Sequence, residues 1–297
     1  MLLLFQKRIK PRIVCSFEKD EGKTAYGSVV GVFITYKNLS KIDYLAKLID
    51  ALNSIKTEET RKLILERIHT LSREDIKEIE KKCGLRVLDG RNEVVLGLPY
   101  VLKEICRLRN QLLNEKEVLI ISDDTALTEK LTIKIAKELR FLTVMSKETV
   151  LLEKLGREVL IETGLSLQSI DKFGRTVQKF DMIINMSSDI DFHINNIKKN
   201  AIITDISIGR KLRGSNTSRK DLIIIEDLLF ENGGIINSNP EVFSFNEKIS
   251  SYVYEGIKSQ DSIKPVGLIA NNKKFKLKEL VDTYYSRNSN SSVFLLK

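Results

Sequence analysis

The sequence predicts an α/β fold in which a smaller N-terminal α/β unit precedes a doubly wound parallel sheet. Two observations lead there. Short apolar strands recur at 117–121, Phe141–Ser146, Leu165–Ile170, Phe180–Met186, Ala201–Ile206 and Leu222–Ile225, and helical or loop segments alternate with them, as a parallel sheet requires. The length of 297 residues exceeds what one domain of about 100–200 residues uses, which favours two.

Taken in order, the first unit opens with apolar strands at Arg12–Glu18 and Ser28–Tyr36, followed by helical spacing over Lys41–Ile55, Glu59–Leu71 and Arg73–Lys82. Ser72 suits the N-cap of the last of these, with Asp75 three residues on. Two short apolar segments, Leu85–Leu88 and Val94–Leu98, flank the turn signal Asp89-Gly90-Arg91-Asn92. Pro99 lacks an N–H and so suits the first position of a helix over Tyr100–Leu113. That helix runs into the strand at 117, which puts a boundary near Asn114 and gives domains 1–114, 115–240 and 241–297. In the second domain, Val150, Leu151, Leu155, Val159 and Leu160 are spaced as on a helix, and Gly164 suits its C-terminal cap. A helix is expected near Asn246–Lys258, and the polar tail from Ser286 is expected to be mobile.

Composition narrows the classes of function. Lys and Arg outnumber Asp and Glu by 49 to 40, a net charge of +9, but the lysines alternate with acids, as in Glu74-Asp75-Ile76-Lys77-Glu78, which is the pattern of a solvated helix face. Nucleic acid is therefore not an expected partner. Cys15, Cys83 and Cys106 are odd in number and show no CxxC spacing, so neither a disulfide framework nor a metal site is predicted, and a reducing cytoplasm is the expected compartment. No apolar run approaches the roughly 18–20 residues of a membrane helix.

Four constellations bear on chemistry. The strand at 117 leads through Ser122-Asp123-Asp124-Thr125-Ala126-Leu127-Thr128 into a helix, the place where a doubly wound sheet holds a pyrophosphate on free N–H groups. It has none of the usual glycines, and its two aspartates repel phosphate unless they point away. Thr125 and Thr128 are candidates either to donate to a phosphate or to cap the helix. The second strand ends in Ser146-Lys147, a small polar residue followed by a base, which fits NADP; the other reading is a polar N-cap. The fourth ends in Asn185-Met186-Ser187, a segment able to pass beneath a nicotinamide ring, or simply a strand end. After the fifth, 209–220 (GRKLRGSNTSRK) brings five basic residues to what is expected to be the ligand-facing edge. Arg210 and Arg213 are its candidates for an anionic substrate, against an exposed basic loop. Lys37 and Lys41 follow the second strand and are the candidate acids, facing a cleft between domains if the domains pack as expected, against the reading that they are exposed loop lysines. His69 and His193 lack a nucleophile motif beside them.

Gly31-Val32-Phe33-Ile34-Thr35 resembles the Gly-x-x-Val-Thr stretch of the shikimate-dehydrogenase-like proteins, and Asp181-Met182-Ile183-Ile184-Asn185-Met186-Ser187 resembles their strand ending in Asn-Ala-Thr. The order of domains is similar over most of the chain. That resemblance implies an aminoacid-dehydrogenase-like N-terminal domain, a Rossmann-like NAD(P)-binding domain and a catalytic lysine after the Thr35 strand. The phosphate-binding glycines of the family are absent. A second stretch, Ile223-Ile224-Ile225-Glu226 through Glu231-Asn232-Gly233-Gly234-Ile235 with the helix ending near Tyr254-Glu255, resembles the long-chain acyl-carrier-protein reductases. Their thiol in the next helix is replaced by Ser250-Ser251-Tyr252, so thioester chemistry is not expected. The sequence thus leads to an NADP-using oxidoreductase-like protein acting on a small anionic carbonyl or hydroxy compound, or a noncatalytic binding or regulatory protein with a degenerate nucleotide site. A homodimer is compatible with either.

Overall fold

The computed structural model describes residues 10–19, 25–32, 34, 39–66, 68–172, 175–188, 194–209, 212, 219–233, 235–237, 246–258 and 264–285. The chain divides into two units. Unit 1 takes its residues from 1–89, 231–249 and 256–258, and unit 2 from 90–230, 250–255 and 259–297.

In unit 1, β1 (Arg12–Lys19) pairs antiparallel with β2 (Ala25–Gly31) and with β11 (Ile235–Asn237). Helix α1 (Lys41–Ile55) begins at Ser40, whose hydroxyl accepts the Asp43 N–H. Helix α2 (Arg73–Cys83) begins in a full capping box: Ser72 Oγ accepts from the Asp75 N–H, and the Asp75 carboxylate accepts from the Ser72 N–H. Leu45, Leu48, Ile49 and Leu52 of α1 meet Ile79 and Cys83 of α2 in the core of this unit.

One expected helix is a strand here. Within 59–71 the chain forms β3 (Lys62–Ile64) and then a short 3₁₀ turn at Ile68–Thr70. β3 pairs in parallel with β4 (Arg86–Leu88), setting Leu63 opposite Val87. Leu63 packs against the unit core and Ile68 and Leu71 are buried in it, so pairing with a distant segment overrides the local helical spacing.

Unit 2 is built on a sheet with the order β14-β13-β10-β9-β8-β5-β6-β7. Its strands are β5 (Glu117–Ile121), β6 (Phe141–Met145), β7 (Gln168–Ile170), β8 (Met182–Asn185), β9 (Ile202–Asp205), β10 (Ile223–Glu231), β13 (Gly267–Ala270) and β14 (Lys273–Phe275). A further strand, β12 (Lys248–Ser250), lies off this path. All pairs from β7 through β10 are parallel, and β13 and β14 extend the sheet antiparallel. Counted from β5, the parallel strands read 3-2-1-4-5-6, the doubly wound order of dinucleotide-binding domains, with its reversal between β5 and β8. The predicted fold class is therefore observed.

Helix α3 (Arg91–Leu108) corrects the expected start at Pro99. Val94, Val95, Leu98, Val101, Leu102, Ile105 and Cys106 are all buried along one helical face that runs straight through the proline. The helix packs within unit 2, so the change of unit falls between Asp89 and Gly90, not near Asn114. It contacts α4 (Thr125–Ala136), which in turn contacts α5 (Thr149–Thr163). Helix α6 (Ser251–Ile257) follows β12, and α7 (Leu277–Tyr285) packs on α3 with the Arg109 guanidinium 3.7 Å from the centre of the Tyr285 ring. Leu119 and Ile121 of β5, Ile183 of β8, Ile203 of β9 and Ile224 of β10 form a core with Val177, Phe180, Ile197 and Leu212 from the connections. The segment 241–297, expected to be helical, also carries strands. Its β13–β14 hairpin is closed by Asn271 and Asn272, both at positive φ, which asparagine tolerates.

The three cysteines are buried free thiols. No helix among the described residues is long and apolar enough to cross a membrane, and no metal-ligating cluster occurs among them.

Candidate functional site at the carboxyl edge of the parallel sheet

Strand register decides which residues meet at the reversal. Ile121 lies opposite Met145 on one side and Asn185 on the other, and Asn185 lies opposite Asp205. Ser122, Ser146, Met186 and Ile206 are therefore the first residues past the sheet, and the backbone bonds continue there: the Ser122 N–H donates to the Met145 carbonyl at 3.0 Å and the Met186 N–H to that of Ile121 at 2.8 Å.

The turn after β5 is held by its own polar groups. Asp124 is the N-cap of α4; its Oδ1 accepts the Leu127 N–H at 3.2 Å, and its Oδ2 lies 3.2 Å from the Arg91 guanidinium. Thr128 is fully buried, donating to the Asp124 carbonyl at 2.6 Å, with its oxygen also in hydrogen-bond contact with the Ser122 hydroxyl. It is thus a strut inside the turn and does not present its hydroxyl to a ligand. Thr125 is exposed, and its Oγ1 donates to Glu148 Oε2 at 3.2 Å.

Asp123 turns the other way. Its Oδ2 accepts from Ser187 Oγ at 3.0 Å and from the Ser188 N–H at 3.2 Å, tying the end of β8 to the end of β5. Asn185 is buried; it donates to Asp205 Oδ1 at 3.0 Å and its own oxygen accepts the Ser187 N–H. Asp205 is fully buried and accepts four bonds, from the Asn185 amide, the Ser207 N–H and hydroxyl and the Leu212 N–H. Asn185, Met186 and Ser187 all form a buried floor, so their side chains brace the edge from within.

A dinucleotide fits this edge in part. The repulsion expected from Asp123 and Asp124 is offset, because the first is occupied by two donors and the second by Arg91. The Thr125 and Ala126 N–H groups lie in the exposed first turn of α4, where a helix supplies no acceptor. Against this, the Asp124 carboxylate already takes one N–H of that turn, and the absence of glycine keeps the backbone from a close approach.

Ser146 is buried and accepts the Glu148 N–H at 3.2 Å, while Lys147 is exposed. Lys41 lies in unit 1 at the first residue of α1, with Nζ 2.8 Å from Asp75 Oδ2, so it clips α1 to the cap of α2. Lys37, Arg210, Arg213 and His193 lie outside the described residues; His69 lies in the 3₁₀ turn of unit 1.

The far end of the basic stretch is corrected. Arg219 and Asp221 lead into the start of β10, at the amino edge of the sheet and away from the reversal. Arg219 binds Asp221 through two bonds of 2.8 Å and reaches the carbonyls of Ile194, Asn195 and Ile197. It is a structural staple. Hydrogen bonding from Arg219 holds the Asp221 carboxyl at about 2, below its ordinary 3.8, against the opposing effect of burial. A depressed folded value means that the pair stabilises above pH 3.8 and that this contribution is lost as pH falls from 3.8 through about 2. Arg219→Leu is expected to flatten the acid limb of stability over that window. Unfolding midpoints measured across it check this, and an acid limb as steep as the parent's would refute the role.

Sequence reading missed Arg91, Glu148 and Asp205. Arg91 meets Asp124 across 33 positions, and Asp205 meets Asn185 only through register, so no local pattern marks either. Glu148 was legible only as the neighbour of Lys147.

No protein-family profile matches the chain, and no curated protein matches it in sequence. Solved structures resemble parts of it in fold, at low sequence identity. L-tryptophan dehydrogenase from Nostoc punctiforme is 12% identical over 67% of this chain and 57% of its own, with a TM-score of 0.36. Quinate dehydrogenase from Corynebacterium glutamicum in complex with NAD is 11% identical over 58% and 66%, with a TM-score of 0.31. A shikimate dehydrogenase in complex with NADP+ is 14% identical over 41% and 44%, at 0.28. The chain thus spans little more than half the length of the tryptophan dehydrogenase. The fold of unit 2 stands on its strand order and register.

Proposed function

We propose that the protein is a nicotinamide-dinucleotide-binding protein of the oxidoreductase kind, acting on a small anionic carbonyl or hydroxy compound. The observation that carries this reading is the 3-2-1-4-5-6 strand order with its reversal between β5 and β8, where doubly wound sheets take their dinucleotides. The first turn of α4, through the Thr125 backbone, would hold phosphate. The residues beyond β6, from Ser146 to Glu148, would meet the adenosine ribose, and the buried floor Asn185–Ser187 would underlie the nicotinamide, which supplies hydride chemistry when bound. Lys37 is the proposed acid, Lys41 being engaged by Asp75, and Arg210 and Arg213 are proposed for the anion.

A second reading is favoured by one observation: the N-terminus of α4 is already capped by the Asp124 carboxylate, itself paired with Arg91. On that reading the chain is a noncatalytic binding or regulatory protein that kept the fold and closed the phosphate turn. Titration of the purified protein with NADH and NADPH, followed by nicotinamide fluorescence, separates the two. Saturable binding at micromolar strength, about −8 kcal/mol, is the expected result. No binding to either at millimolar nucleotide leaves the noncatalytic reading in its place.

A further inference from the structure

We infer that Glu148 sets nucleotide choice and selects NAD(H) over NADP(H), the reverse of what Ser146-Lys147 alone implies; this rests on the dinucleotide reading above. The adenosine ribose of a doubly wound domain lies beyond the strand next to the first, here β6 beside β5. β6 ends at Met145, so Ser146, Lys147 and Glu148 are what the chain presents there.

Of these three, only Glu148 is both exposed and fixed. Ser146 is buried, and its hydroxyl accepts the Glu148 N–H, which sets the direction of the backbone. Glu148 is the N-cap of α5, yet its side chain makes no bond to that helix. The carboxylate instead reaches back to Thr125 Oγ1, 3.2 Å away in the first turn of α4. It thus stands between the two turns that would flank the ribose, accepting from a hydroxyl as it would from a ribose 2′-hydroxyl. Lys147, by contrast, is an exposed, flexible cation that no bond among the described residues holds in place. A 2′-phosphate brought here meets the Glu148 carboxylate, which Thr125 holds toward it, while the charge of Asp124 in the facing turn is already offset by Arg91. Like charges brought close together in a partly wet site disfavour binding by about tenfold.

The test measures dissociation constants for NADH and NADPH by nicotinamide fluorescence on the parent protein, Glu148→Gln and Lys147→Glu, with thermal unfolding as a check on folding. The expected result is that the parent prefers NADH by about tenfold, and that Glu148→Gln removes most of this preference by tightening NADPH while its unfolding temperature stays near the parent's. Equal affinities, or tighter NADPH in the parent, overturn the inference and leave the dinucleotide reading standing. An NADH preference that survives Glu148→Gln and moves only with Lys147→Glu also overturns it. Binding of neither nucleotide by any of the three overturns the dinucleotide reading and the inference together.

Discussion

Gly90→Ala is expected to destabilise the protein by roughly 3–5 kcal/mol, combining the left-handed backbone penalty with overpacking. Gly90 is the N-cap of α3, at φ 76 and ψ −7. Its carbonyl accepts the Glu93 and Val94 N–H groups, each at 3.0 Å, and its own N–H donates to Glu255. A Cβ placed there would lie 2.1 Å from Ser251 Oγ and 2.4 Å from the Tyr252 backbone nitrogen. The Tyr252 nitrogen is main chain and Ser251 is fully buried, so no flexible side chain can yield. Gly84→Ala is the control, since Gly84 is also left-handed, at φ 65, but has nothing within 4 Å of the position a Cβ would take. It should cost only the backbone penalty, about 1–2 kcal/mol. Urea unfolding of both variants checks the difference, and equal losses would show that the Gly90–Ser251 approach is looser than described.

Asp205→Ala should cost nearly as much, about 3–4 kcal/mol, because truncating a buried acceptor leaves its donors unsatisfied. The Asn185 amide, the Ser207 N–H and hydroxyl and the Leu212 N–H all converge on this carboxylate. Asp205→Asn keeps the shape but sets an amide N–H₂ against other donors, so it should recover only part of the loss. Amide exchange gives a local readout: the Leu212 N–H should lose its protection in the alanine variant. A loss below about 1 kcal/mol with Leu212 still protected would mean that the network is not what closes this edge.

Both predictions concern features that local pattern does not show. Gly90 was recognisable as part of the turn signal Asp89-Gly90-Arg91-Asn92, yet the segment that crowds it lies more than 160 positions on. Pro99 misled because proline is best placed at a helix start; the buried face from Val94 to Cys106 shows that packing across unit 2 tolerates it within a longer helix. The segment 59–71 misled because β3 exists only by pairing with β4. The Ser72 capping box, by contrast, was legible because all its partners lie within three residues.

Fold class, the succession of parallel strands and the positions of α1, α2 and the strand–turn–helix at 117–136 are legible in local pattern, because period, caps and turn chemistry are local properties of the chain. Tertiary structure decided the strand order, the extent of α3 and the role of each polar residue at the carboxyl edge. Thr128 became an internal strut, Asp123 a tie to β8 and Glu148 a fixed exposed acid. Register is the cause: a hydrogen bond of about 3 Å between residues 20 to 64 positions apart depends on which strands lie side by side, and no spacing within either segment records that.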